Sequence, residues 1–276
     1  MRIDSHQHFW KFDKSRHAWI DDSMVVLKRD FLPNDLETHL DQHSLDGCVL
    51  VQVDQSEAET EYLLSLAAQH SFIKAVIGWV DLGAKNVNDR LRFYAQNPYF
   101  KGVRHIVQSE KPDFLLGADF QNGISKLESL NLTFDVLIYP SQLESAIQLA
   151  TSFPNQKFVL DHLAKPYIKD QKISDWKEKI QRLALSPFVS CKISGLLTEA
   201  DLNQWEKDDF IPYLDIVFEA FGEDRVLFGS DWPVCLLAGT YDEVLDLVSS
   251  YSASFSEEKK KKLFGDNAVR IYNITE

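Results

Sequence analysis

The chain has 276 residues, 45% of them hydrophobic and 26% charged, and a formal net charge of −13. This is enough apolar material for a large core, and the acidity disfavours nucleic acid, whose phosphates most of this surface would repel. No window is apolar enough to span a bilayer, no apolar targeting run opens the chain, and three scattered cysteines make no disulfide framework, so the expectation is a cytoplasmic protein with no membrane partner.

Short apolar, β-branched runs alternate with longer amphipathic ones. The candidate strands are Arg2 to Ser5, Gly47 to Val53, Ile73 to Val80, Gly102 to Ile106, Leu132 to Ile138, Lys157 to Leu160, Phe188 to Ile193 and Arg225 to Phe228. Between them, Pro33-Asn34-Asp35 opens a helix through Leu36 and Leu40. Ser56 and Glu59 predict a capping box before Tyr62 and Leu63, and Pro140-Ser141 opens a helix carrying Leu143, Ala146 and Ala150. The run Lys259 to Lys262, beside Glu257 and Glu258, reads as an exposed helix face. Cys48 and Cys191 lie inside apolar runs and read as buried thiols, whereas Cys235 has no assigned role.

Continuous apolar strands imply a sheet covered on both faces, hence a parallel one. Eight β-then-α units fit a closed (β/α)8 TIM barrel, a single α/β domain over residues 1–276, better than an open doubly wound sheet, and no Gly-rich dinucleotide turn follows the first strand. Two long connections, Phe9 to Leu32 and Leu196 to Phe210, leave C-terminal strand ends, where such a barrel places its chemistry.

Polar residues gather at those same ends. His6 and His8 stand two apart after the first strand, so both imidazoles project to one side; they are either a structural pair or convergent ligands. Arg104 and His105 end the fourth strand as neighbours with diverging side chains, and an arginine there can hold a substrate oxygen or a structural carboxylate. His162 ends the sixth strand, before Lys165 and the structure-breaking Pro166. Asp231, in Gly229-Ser230-Asp231-Trp232-Pro233, ends the eighth; a carboxylate in a partly dry mouth can take a proton from water, ligate a cation or cap a helix. Trp10, Trp19, Trp79, Trp205 and Trp232 fall at or near these ends, either to stack on a sugar-like ring or to anchor loops.

These blocks, "RIDSHQHFW", "KGVRH", "DHLAKP" and "GSDWPVC" among them, resemble the amidohydrolase superfamily and, within it, the lactonase branch of L-fuconolactonase-like and 2-pyrone-4,6-dicarboxylate lactonase-like proteins. The resemblance runs nearly end to end. It implies a barrel with His6, His8, His162 and Asp231 around the reaction centre, and makes Asp231 the residue that activates water. Two departures stand out. Binuclear members carry a carboxylated lysine on strand 4, where this chain has Val103-Arg104-His105, and a histidine on strand 5, where it has Phe134-Asp135-Val136. The resemblance therefore implies at most one divalent, Zn-like ion, held by His6, His8 and His162 or Asp231, or no metal requirement.

The expected function is a hydrolase that opens a sugar lactone, with Asp231 and His162 catalytic and with Arg104, His105, Lys165, Lys192, Tyr139, Trp10, Trp79 and Trp232 contacting a small-molecule substrate. Three alternatives stay open: a metal-dependent amidohydrolase or decarboxylase, a dicarboxylate lactonase, and a non-catalytic sugar-binding barrel. Nothing in the sequence states the oligomeric form.

Overall fold

The computed structural model describes residues 1–275. Eight strands, β1 (Ile3–Gln7), β2 (Gly47–Val51), β3 (Ile73–Gly78), β4 (Phe100–Ile106), β5 (Thr133–Leu137), β6 (Phe158–Leu160), β7 (Val189–Ile193) and β8 (Val226–Phe228), form one sheet in chain order. Every neighbouring pair is parallel. β8 returns to β1 at the upper rim through a parallel bridge between Gln7 and Trp232, with Asp231 N–H donating to His6 O at 2.8 Å and His8 N–H to Trp232 O at 2.8 Å. The result is the expected (β/α)8 barrel.

The helices are α1 (Pro33–Gln42), α2 (Glu57–Gln69), α3 (Val87–Tyr94), α4 (Ala118–Leu127), α5 (Leu143–Ser152), α6 (Ser174–Ala184), α7 (Ile211–Phe221), α8 (Tyr241–Tyr251), α9 (Glu257–Lys261) and α10 (Asn267–Ile271). α1 starts where proline's missing N–H costs nothing, and Asp35 accepts from the Leu32 amide at 2.7 Å. α2 corrects the capping-box expectation. Ser56 Oγ accepts from Glu59 N as predicted, but the Glu59 carboxylate turns away from Ser56 to take the amides of Val53 and Asp54. Those two amides leave the end of β2 with no ladder partner, and the oxygens of the Glu59 carboxyl group satisfy both. No helix among the described residues is long and apolar enough to cross a membrane.

The strand expectations hold to within a few residues at each end. β1 runs two residues further than the apolar pattern suggests, because Gln7 still pairs with Leu50 after a register shift. That shift lies between Asp4 and Gln7, so it re-aims the polar end of the strand and leaves Ile3 in the core. Cys48, Cys191 and Cys235 are buried free thiols. The lysine run is only partly the exposed face expected: Lys261 is exposed, but Lys259, Lys260 and Lys262 are half-buried, with Lys260 meeting Glu257 at 3.0 Å and Lys259 lying 3.6 Å over the Phe255 ring.

Candidate active site

Four polar side chains from three places in the chain converge above β1, β6 and β8. Nε2 of His8, His6 and His162 lie 3.3, 3.7 and 3.8 Å from a single atom, Asp231 Oδ1. All four residues are buried, none more than 3% exposed. The backbone that presents them is unusual. His162, Leu163, Ala164 and Lys165 are four consecutive left-handed residues (φ 53°, 55°, 59° and 51°), and Asp231 is left-handed too (φ 58°). L-residues adopt this conformation at a cost of about 1–2 kcal/mol each. Full burial of Leu163 and Ala164, and the Trp176 indole donating to Leu163 O at 2.8 Å, offset it at the β6 turn. Gly195, at φ 59°, lets β7's exit loop pass beneath: a Cβ there would approach His162 Nδ1 to 2.6 Å and Asp231 Oδ2 to 3.2 Å.

The outer nitrogens of the imidazoles decide what the inner ones can do. His8 Nδ1 lies 2.7 Å from Val51 O, and a carbonyl only accepts, so Nδ1 carries the proton and Nε2 offers a lone pair. His162 Nδ1 meets Ser194 Oγ at 2.9 Å. His6 Nδ1 lies 3.3 Å from Asp161 Oδ1 and 3.1 Å from Lys192 Nζ. Burial lowers the pKa of all three: His6 well below the ordinary value, His8 below it, and His162 to about 4. Burial pushes Asp231 the other way, but the surrounding His162, His8 and His6 outweigh it and hold its carboxyl below the usual range. Neutral imidazoles thus face an ionised carboxylate.

This arrangement fits a single divalent ion. His8 Nε2 and Asp231 Oδ1 set a lone pair against a lone pair at 3.3 Å, which is repulsive unless a cation or proton lies between. Ligands about 2.0–2.1 Å from a tetrahedral zinc sit about 3.3–3.4 Å apart, close to the separations here. Outer nitrogens bound to a carbonyl, a hydroxyl or a carboxylate are the usual partners of metal-ligating histidines. Two overlapping triads have suitable geometry, His6 with His8 and Asp231, and His6 with Asp161 and His162.

The space where a second ion would need carboxylate and histidine ligands holds cations of the chain itself. Arg104 Nη1 lies 3.2 Å from Asp161 Oδ2 and 3.3 Å from His6 Nε2, and its Nη2 donates to Gln52 O. Lys192 Nζ contacts Asp135 Oδ2 at 2.6 Å and Asp161 Oδ1 at 3.1 Å. Two fixed positive charges between these groups account for the two departures from the binuclear pattern noted in the sequence.

The remaining expected contacts divide. Lys165, 17% exposed at its side chain, pairs with Glu199 at 2.8 Å at the rim; burial lowers its pKa, but Glu199 and Asp231 outweigh that and raise it. Tyr139 is exposed at the rim after β5. Lys192, read from sequence as a substrate contact, is fully buried and touches His6 and two carboxylates instead, because it points into the barrel below the imidazoles. His105 also departs from expectation. Alternation turns it away from Arg104, to stack on Phe114 at 4.8 Å, meet Glu110 at 3.3 Å and accept from the Trp79 indole at 3.4 Å. Trp10 and Trp232, at 1% and 2% exposure, are loop anchors rather than open platforms: they pack on Phe31, and Trp10 donates to Arg29 O. Trp205 likewise donates to Ala238 O.

Asp161, Asp135, Ser194 and Gly195 were not singled out from the sequence. Asp135 and Lys192 did carry a signal: each is a lone charge inside an apolar strand, and opposite charges buried in one barrel need each other. Ser194 and Gly195 carried none.

The amidohydrolase family matches residues 3–274 of the chain. This protein is a member of that family. An L-fucono-1,5-lactonase of Burkholderia multivorans is 36% identical over 288 aligned residues, covering 100% of this chain and 97% of the relative. A second, from Burkholderia ambifaria, is 34% identical and covers 99% and 96%. A crystal structure of an amidohydrolase from Burkholderia multivorans with bound zinc superposes at a TM-score of 0.96, with 36% identity and full coverage of both chains. In this amidohydrolase, then, the converging imidazoles and carboxylate occupy the barrel end where the fold places its chemistry.

Proposed function

We propose that this amidohydrolase opens a sugar lactone to the aldonic acid, from one domain spanning residues 1–276, with Asp231 as the base that activates water. One observation carries the reading: Asp231 is the shared centre of three imidazoles at the C-terminal barrel mouth, in a chain 36% identical over its whole length to an L-fucono-1,5-lactonase.

Asp231 accepts a proton from a water molecule, which attacks the lactone carbonyl; the same carboxyl then returns the proton to the departing ring oxygen, so that one residue serves as base and acid. Its low pKa keeps the accepting form present throughout the neutral range. His6, His8 and His162, with Asp231, would hold a zinc-like ion, which when bound supplies charge to stabilise the oxyanion and lowers the pKa of water. Arg104 holds Asp161 and faces His6, fixing the ring's plane. Lys165, at the rim, is the cation best placed to bind substrate oxygens, with Tyr139 beside it.

The buried site suits a small, neutral polyol; the acidic chain gives no reason to expect polyanions. The test is proton release from a panel of aldonolactones, with and without a chelator. Turnover of at least one aldonolactone supports the reading. Failure on all of them, with the folded protein confirmed and zinc added, overturns it.

A further inference from the structure

The C-terminal segment enters the barrel from the end opposite the imidazoles. Lys157, just before β6, reaches Asn273 Oδ1 at 3.2 Å and Ile271 O at 3.4 Å, and Asn267 Nδ2 donates to Val226 O at 2.9 Å. Ile271, Tyr272 and Ile274 then close the lower barrel against Ile3, Val49, Ile77 and Leu227. A plug of this kind needs only apolar volume. Tyr272 nevertheless carries a hydroxyl into it, and that hydroxyl donates to Asp135 Oδ2 at 2.8 Å.

From Asp135 the contacts run upward without a gap. Lys192 Nζ lies 2.6 Å from the same Oδ2 and 3.1 Å from His6 Nδ1, while Thr133 Oγ1 holds the other oxygen of Asp135 at 3.0 Å. Tyr272, Asp135, Lys192 and His6 are all 0% exposed, so no solvent substitutes for a lost partner. Lysine has a flexible four-carbon stem, and here its ammonium is kept against the ring by two carboxylates, Asp135 from below at 2.6 Å and Asp161 beside His6 at 3.1 Å.

We propose that Tyr272 is a positioning residue for His6, acting through Asp135 and Lys192, so that the C-terminal plug sets the orientation of an imidazole at the opposite end of the barrel. The kinetic consequence rests on the lactone reading, whereas the orientation itself does not.

The test compares Tyr272→Phe, which keeps the ring and removes the oxygen, with Ile274→Ala, which thins the plug and leaves the oxygen in place. Ring-nitrogen resonances of ¹⁵N-histidine-labelled protein, with His6 assigned by its loss in His6→Asn, read the imidazole directly. The expected result is a shifted His6 signal in Tyr272→Phe, unmoved signals for His17 and His70, and an unmoved His6 signal in Ile274→Ala. Thr133→Val, which frees the other oxygen of Asp135, shifts His6 in the same way. On a turned-over aldonolactone, Tyr272→Phe lowers kcat about 3–10-fold with KM unchanged, less than the 10–100-fold typical of a partner touching the ligand itself. An unshifted His6 signal in folded Tyr272→Phe, or equal shifts in Ile274→Ala, overturns the proposal. A wild type that opens no lactone, with the His6 shift intact, removes the proposed function and leaves the relay standing.

Discussion

The upper and lower halves of the barrel interior follow opposite rules. Below, Ile3, Val49, Val51, Ala75, Ile77, Val159 and Leu227 pack against Ile271 and Ile274, an apolar filling that derives its stability from area removed from water. Above, the same enclosed space holds His6, His8, His162, Asp161, Asp231, Lys192 and Arg104 on partly left-handed backbone. Every one of those groups loses hydration, and the left-handed turns add strain. The difference teaches that the lower half stabilises the fold and the upper half is stabilised by it.

Substitutions in the two halves should therefore separate activity from stability. The largest expected effect is at the top: Asp231→Asn lowers kcat by at least about 10²–10⁴-fold, while the protein stays folded with a lowered thermal midpoint, because a carboxyl held below its usual range stabilises the fold while it is ionised. Steady-state kinetics beside a melting curve checks it, and near-wild-type turnover would remove Asp231 from the mechanism. Next, Ile77→Ala in the lower half costs about 2–5 kcal/mol of stability, read by denaturant titration. Its kcat should hold wherever the protein remains folded; a large loss of kcat would mean that the halves are not separable.

Gly195→Ala probes the boundary. Left-handed backbone with a side chain costs about 1–2 kcal/mol, and the new Cβ meets the His162 ring, so stability and activity fall together. Unchanged kinetics in that variant would show that the close approach beneath His162 has no role. The last effect is read in stability alone and concerns Glu59, whose pKa burial raises to about 8, against the two amides that lower it. A carboxyl protonated in the fold but ionised when unfolded makes stability fall as pH rises from its unfolded value towards about 8. Glu59→Gln should remove that decline. A 1 kcal/mol change at this chain length moves the midpoint by about 2–4 °C, within reach of melts at pH 5 and pH 8; parallel wild-type and variant profiles would refute it.

Much of this was legible beforehand, and the particular residues show why. Continuous apolar strands and proline-led helix starts report local burial and local backbone, so the eight strands and the starts of α1 and α5 emerged from pattern alone. His6, His8, His162 and Asp231 were legible because each ends a predicted strand, and in a parallel barrel all strand ends meet at one rim. Lys192 was placed on the right strand but given the wrong neighbour. Its sequence context shows a charge in an apolar run, not whether that charge looks up at a substrate or down at Asp135. Trp10 and Trp232 turn out buried, and His105 turns away from Arg104, for a related reason: adjacency to a strand end does not say which face a side chain takes once the neighbouring loops pack.

Periodicity and strand-end chemistry, properties of a few consecutive residues, were enough to determine the barrel and the four groups at its mouth. Tertiary structure alone decided which nitrogen of each imidazole faces inward, that Arg104 and Lys192 stand beside His6, and that Tyr272 reaches Asp135 across 137 positions of chain. Those are relations between atoms brought within about 3 Å by closure of the ring, and no local pattern encodes a distance between segments that meet only after folding.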